Sequence, residues 1–431
     1  MNATSAPDAP PVPPDQPAAG RAPARRAPSR LSRAIEGLVF LTPIILVAAT
    51  GDFGDDARAG AIVTHPADDA VLVAAPVDPE RAETARAEAR LREHPRDLRL
   101  AVEIARRHIA DARRNADPRA LGWAEAALAP WWSEAEPPEA VALLRATIRQ
   151  SRHEFAAALT DLDRVLARDP GNAQAALTRA TVLGVVGRPA DGRADCDRVA
   201  ARAPGVAAAA CHAAIDGLTG ENARGRERLD EALAGPPAQD DGVRAWALGI
   251  RGELWQRDGD VAAAERDYRA ALALDPGDAW TVTALSDLLL DEGRPAEVFA
   301  LTGASDVDNL VLRRALASRA LGLGGDGDHA LLRARYDAAH ARGDIVHLRE
   351  EARLVLAFED DPDKALALAR ADWEQQHEPW DALVLMRAAA AAGAPRGRRA
   401  CRPLARRDRD PRRRARPRPR RAALDHAVVA P

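Results

Sequence analysis

The chain has 431 residues, of which 47% are hydrophobic, 29% charged and only 3% aromatic. That is ordinary for a folded soluble protein, and the dominance of alanine among the apolar residues favours closely packed helices over a strand-rich core. Three cysteines are too few for a disulfide-built scaffold. The net charge of −4 conceals an Arg-rich leader of +3 (residues 1–33) and an Arg-rich tail of +11 (residues 394–431), which leaves −18 for residues 34–393. So acidic a body argues against binding nucleic acid, whose phosphates it would repel.

Residues 1–33 are rich in Pro, Ala and Arg, have no apolar period and are expected to be disordered. Gly37 to Thr50, GLVFLTPIILVAAT, is a strongly apolar run preceded by Arg30 and Arg33 and followed by Asp52, Asp55 and Asp56. That charge order fits insertion with the amino terminus in the cytoplasm. Residues 34–50 therefore predict a transmembrane anchor or a signal-peptide core, with Val47-Ala48-Ala49 offering small residues for cleavage and a buried soluble helix as the remaining alternative. The matching location is the bacterial inner membrane with the following domain in the periplasm, or an exported periplasmic protein if the segment is cleaved. Residues 51–78 read as a linker punctuated by Gly, Asp and Pro. Helix is expected from about Pro79, with Glu80 and Glu83 favourable near its amino end.

From there the apolar pattern has a helical period interrupted at intervals by Gly or Pro. Leu98 to Pro138 forms an irregular first unit with Trp131 and Trp132 at its close. Units at 139–170 and 173–204 follow, and Pro170 and Pro204 lie 34 residues apart. Small or apolar residues recur at Ala146, Ala158, Leu162, Ala180 and Leu183. Asp169-Pro170-Gly171-Asn172 returns as Asp275-Pro276-Gly277-Asp278, and Gly187-Arg188-Pro189-Ala190 returns as Gly293-Arg294-Pro295-Ala296. Cys196 and Cys211 fall on adjacent helices of neighbouring units; a disulfide is geometrically conceivable, but two small core residues are the favoured account. A unit at 207–238 precedes the most regular one.

That unit, Ala245 to Asp278, places Leu248, Gly252 and Trp255 one helical turn apart, stops at Gly259, and resumes with Ala264, Tyr268 and Ala271 before Pro276. The spacing resembles the signature of the tetratricopeptide repeat (TPR) family, with Trp255 and Tyr268 standing for its large aromatics. The resemblance is good over 139–204 and 245–292, fair over 98–138 and 207–238, and weak beyond 303. It implies an all-α, right-handed superhelical solenoid of antiparallel helix hairpins over 79–392, each hairpin completing the apolar side of the next. Near Gly393 the composition changes abruptly. Three readings of the 393–431 tail stay open: an arm for nucleic acid or anionic membrane, a disordered end, or a shifted reading frame.

No HExxH, metal-spaced Cys/His pair, P-loop or Gly-x-Ser-x-Gly is present, so no catalytic, metal or cofactor site is expected. The family resemblance implies protein binding in a groove lined by the first helix of each hairpin. Arg145, Arg149, Arg179, Arg251 and Gln256 are the candidate groove contacts, able to meet carboxylates. The Lys and Asn positions of carboxylate-clamp TPR domains are missing, and that function is not carried over. The expected role is a non-catalytic interaction module or assembly scaffold of the bacterial cell envelope. Its partner would be another protein, with membrane attachment through residues 34–50 if uncleaved. The alternative is a repeat subunit of an enzyme or transport assembly whose chemistry lies on another chain.

Overall fold

The computed structural model describes residues 79–115, 118–235, 240–343 and 347–393. Among them are 19 helices and no strand, arranged as paired hairpins in an all-α, right-handed TPR-like solenoid. The expected leader (1–33), apolar segment (34–50), linker (51–78) and nearly all of the tail lie outside the described residues. One expectation is corrected. Among the described residues no helix is long and apolar enough to cross a membrane, so neither a transmembrane helix nor an inner-membrane-anchored topology is retained.

The first helices are α1 (Pro79–Glu93), α2 (Leu98–Asn115), α3 (Pro118–Ala127) and the one-turn α4 (Ala129–Trp132). They form an amino-terminal core around Ile104, Leu128 and Trp131, completed by Val141, Leu144 and Ile148 of the helix that follows. Five regular hairpins follow: α5 and α6 (Glu139–Ser151, Phe155–Arg168), α7 and α8 (Ala173–Val185, Pro189–Arg202), α9 and α10 (Val206–Leu218, Asn222–Ala234), α11 and α12 (Asp241–Asp258, Val261–Leu274), and α13 and α14 (Ala279–Asp291, Pro295–Thr302). The described residues close with α15 (Asp308–Ala320), α16 (Asp326–Ala341), α17 (Leu348–Phe358), α18 (Pro362–Trp373) and α19 (Pro379–Ala391).

Each regular hairpin turns at a residue with positive φ: His153, Gly187, Gly220, Gly259 and Gly293, with φ between 60° and 81°. Glycine carries no Cβ penalty in this left-handed region, whereas His153 must tolerate it. In the first four hairpins, counted from the turn, the residue seven before and the residue five after are Ala146 and Ala158, Ala180 and Gly192, Ala213 and Gly225, and Gly252 and Ala264. These pairs mark the closest approach of the two helices. A Cβ on Gly192 would stand 3.3 Å from the Ala180 backbone, and one on Gly252 would meet the Tyr268 ring at 2.8 Å.

The buried sides of successive hairpins then merge. Ala146, Ala158, Leu162 and Ala180 share one cluster with Cys196, Cys211 and Ile215, while Ala264, Tyr268 and Leu285 belong to another. Leu183 and Ala271 are also buried, Gly252 is buried on α11, and Leu248 and Trp255 are half-buried. Pro276 is exposed: it shapes the turn after α12 and does not pack. Short polar side chains close the helix starts. Asn172 accepts from the Ala175 amide, Asp260 from Ala263 and Asp278 from Trp280. Cys196 on α8 and Cys211 on α9 form a buried disulfide, which corrects the favoured reading of two separate core residues and fastens the second hairpin to the third.

Candidate functional site

An α-helix rotates by about 100° per residue, so two residues apart means opposite faces. Eight residues before the turn stand Arg145, Arg179 and Arg251; eight after it stand Asp161, Asp195 and Asp267. Each Arg reaches its Asp with two bonds, all across a separation of 16 residues, at 2.8 and 2.7 Å, 2.9 and 2.7 Å, and 2.7 and 2.9 Å. These acids are 0–1% exposed. Planar guanidinium on carboxylate is the strong, oriented form of an ion pair, and it locks the first helix of a hairpin to the second.

This placement changes the meaning of the Arg candidates. Arg145 is 2% exposed and also donates to the carbonyls of Trp132 and Glu134, so it is a buried packing residue rather than a groove contact. Arg149, one turn on, donates to the same Asp161 at 2.7 Å. Arg179 also pairs with Asp163, and Arg251 with Asp230. Gln256 accepts a hydrogen bond from the Tyr268 hydroxyl at 2.8 Å. All five candidates are thus engaged within the chain.

The opposite face, reached two residues later, carries Glu253 and Asp287, with Arg257 and Asp291 one turn further on. These side chains line the inner side of the stack, and α17–α19 lie across it. The Trp380 indole N–H donates to Glu253 at 3.0 Å. Arg353 donates to both oxygens of Asp287, at 2.9 and 2.7 Å, while Arg313 donates to the same pair at 3.0 and 2.7 Å. Arg387 reaches Asp291 at 3.4 Å, and the His377 amide donates to the Val185 carbonyl at 2.7 Å. Gly187 stands directly opposite His377, where a Cβ would lie 3.1 Å from the imidazole.

The electrostatics of this seam divide its acids into two sets. Burial works to raise Asp287, but Arg313 and Arg353 outweigh it and hold the carboxyl far below its usual range. Burial likewise opposes Glu350, which Arg349 and Arg313 bring down to about 2. On the terminal helices the balance is reversed. Burial carries Glu378 up to about 7 despite Arg349, with Asp381 adding to the rise. Burial and the neighbouring Asp381 carry Asp372 up to about 8. His153 is lowered to about 4, chiefly by burial and then by His347. The seam therefore mixes firmly ionised pairs with carboxyls that gain protons near neutrality.

Sequence reasoning missed Glu253, Asp287 and Asp291. The signal was present in the register: they stand six and two residues before their turn glycines, on the side of the helix away from the Arg–Asp locks. Among the described residues no group of three or more His, Cys, Asp or Glu could hold a metal ion. The arrangement suits recognition by ion pairs and hydrogen bonds.

No family model matches the chain, and no curated protein matches it. Solved structures do resemble it. PilW, a type IV pilus biogenesis factor, is 17% identical with a TM-score of 0.37, covering 47% of this chain and 96% of its own. A tetratricopeptide repeat protein from Parabacteroides merdae is 15% identical with a TM-score of 0.36, covering 67% and 98%. A Rap protein complexed with Competence and Sporulation Factor is 15% identical with a TM-score of 0.46, covering 72% and 95%. These are likenesses of fold, and the class they describe is the TPR-like solenoid of helical hairpins.

Proposed function

We propose that the chain is a non-catalytic protein-binding scaffold whose inner face receives a helical segment of another protein. The observation that carries this reading is the row formed by Glu253, Asp287 and Asp291. These charges project from consecutive first helices toward one groove, and two helices, α17 and α19, already reach them. A solenoid presents such a row because each hairpin repeats its neighbour with a small rotation. Charged groups at the inner face select partners and orient them more than they add raw affinity.

Association with the cell envelope is the finer part of the proposal. Its support is the Cys196–Cys211 disulfide, since such bonds persist in oxidising compartments. Crosslinking in the native cell, followed by identification of the captured protein, tests the scaffold reading. The expected result is one stoichiometric partner, reduced at least about tenfold by Glu253→Lys, equivalent to about 1.4 kcal/mol of binding. Capture that ignores this substitution, or a purified chain that turns over a substrate unaided, would reject it.

A further inference from the structure

The groove is occupied by the chain's own carboxyl-terminal helices, which reach its acids through long side chains. We propose that α17–α19 are a displaceable occupant of the groove, and that the partner segment replacing them is a helix presenting a tryptophan and an arginine two turns apart on one face. This rests on the scaffold reading and names its partner class.

The pattern is taken from α19. Trp380 and Arg387 are seven residues apart, which places them on one face about 10 Å from each other along the helix. They reach Glu253 on α11 and Asp291 on α13. Packed helices stand about 8–10 Å apart, so a helix laid across α11 and α13 can meet both acids with this spacing. Residues at i and i+3 or i+4 would span about half the distance.

Two features make the occupant removable. The apolar residues of α17–α19 form a cluster of their own, including Val355, Leu366 and Leu385, which is separate from the clusters beneath the groove. Withdrawal therefore opens no shared core there. An apolar tie that must open with them is Leu354, which packs with Val311, Leu312, Leu332 and Tyr336 on α15 and α16. Second, the groove acids are not stranded when the helices leave. Glu253 keeps Arg257 and Asp287 keeps Arg313, while Asp291 is half exposed to solvent. Breaking an ion pair is most costly when it leaves a buried charge alone, and here the groove has spare partners built in.

The test uses a fluorescent synthetic peptide of residues 376–392 and the full-length chain. In the chain, Arg353→Gln, Trp380→Phe and Arg387→Gln together weaken the internal contact without altering the groove. Peptide anisotropy is expected to show binding to this chain at least about tenfold tighter than to the unaltered one. Adding Glu253→Gln should remove most of that gain, and Arg387→Gln alone, at an exposed position, should give about a threefold gain. A peptide that binds the weakened and unaltered chains equally overturns the proposal, as does binding indifferent to Glu253. Equal recovery of a native partner by both chains also overturns it, yet leaves the scaffold reading standing.

Discussion

The five regular hairpins and the three terminal helices are built from the same kind of amphipathic helix, yet they are joined to the stack in different ways. Within the first four regular units, the two helices meet at Ala or Gly, and a buried Arg–Asp fork spans the hairpin in three of them. Across the groove, contact is made chiefly by long side chains, among them Arg353, Trp380 and Arg387, with one backbone bond from His377 to Val185. Small-residue contacts fill space that water cannot enter, whereas extended charged contacts can exchange with water or with another protein. The difference separates a permanent frame from a contact suited to replacement.

The comparison is broken most severely at the frame. Asp161→Ala leaves Arg145 buried with only carbonyl partners and is expected to cost about 3–5 kcal/mol in denaturant unfolding. Arg145→Leu with Asp161→Leu should return most of that loss, because charge removal in pairs spares the orphan. The fifth hairpin already uses this solution, carrying Leu285 and Leu301 at the corresponding positions. Next in size is the disulfide. Cys196 and Cys211 are separated by 15 residues, and replacing both with Ala should cost about 3 kcal/mol on the loop-closure account. Reductant should lower the melting temperature of the unaltered chain but not that of the variant. Gly252→Ala tests close approach: its Cβ would press on Tyr268 at 2.8 Å, with an expected cost of about 1–3 kcal/mol.

The smallest expected effect sharpens the other side of the comparison. Glu378 and Asp372 are raised to about 7 and about 8, so each favours the folded terminal helices most when protonated. Their contribution is full below the ordinary carboxylate range and is lost as pH rises through those values. The lowered His153 works the other way, but only as pH falls from its usual value toward about 4. Between about pH 8.5 and 6.5 the acids therefore dominate, and acidification should tighten the terminal helices. Glu378→Gln should flatten that dependence, as read from the amide protection of α19.

The repeating frame was legible because its determinants are local in sequence. Glycine stops, the small residues at Ala146 and Ala158, and the recurring Asp-Pro-Gly turn declare helix length and close approach without reference to any distant residue. The direction of a given side chain was harder to read. Arg145, Arg179 and Arg251 look like groove residues until the facing helix is in place; then each lies toward the Asp 16 residues on. The occupied groove was beyond reach, since Trp380 and Glu253 are 127 residues apart and no local pattern joins them. The disulfide lay between these cases: the two helices were assigned, but adjacency alone does not bring two sulfurs together.

Native-state hydrogen exchange on the full chain, followed as salt is raised from about 0.05 to 0.5 M, addresses frame and occupant at once. Helices α17–α19 are expected to exchange through an opening that leaves α5–α13 protected, and this opening should grow with salt. A single shared opening for both regions, unmoved by salt, would contradict the separation of frame and occupant.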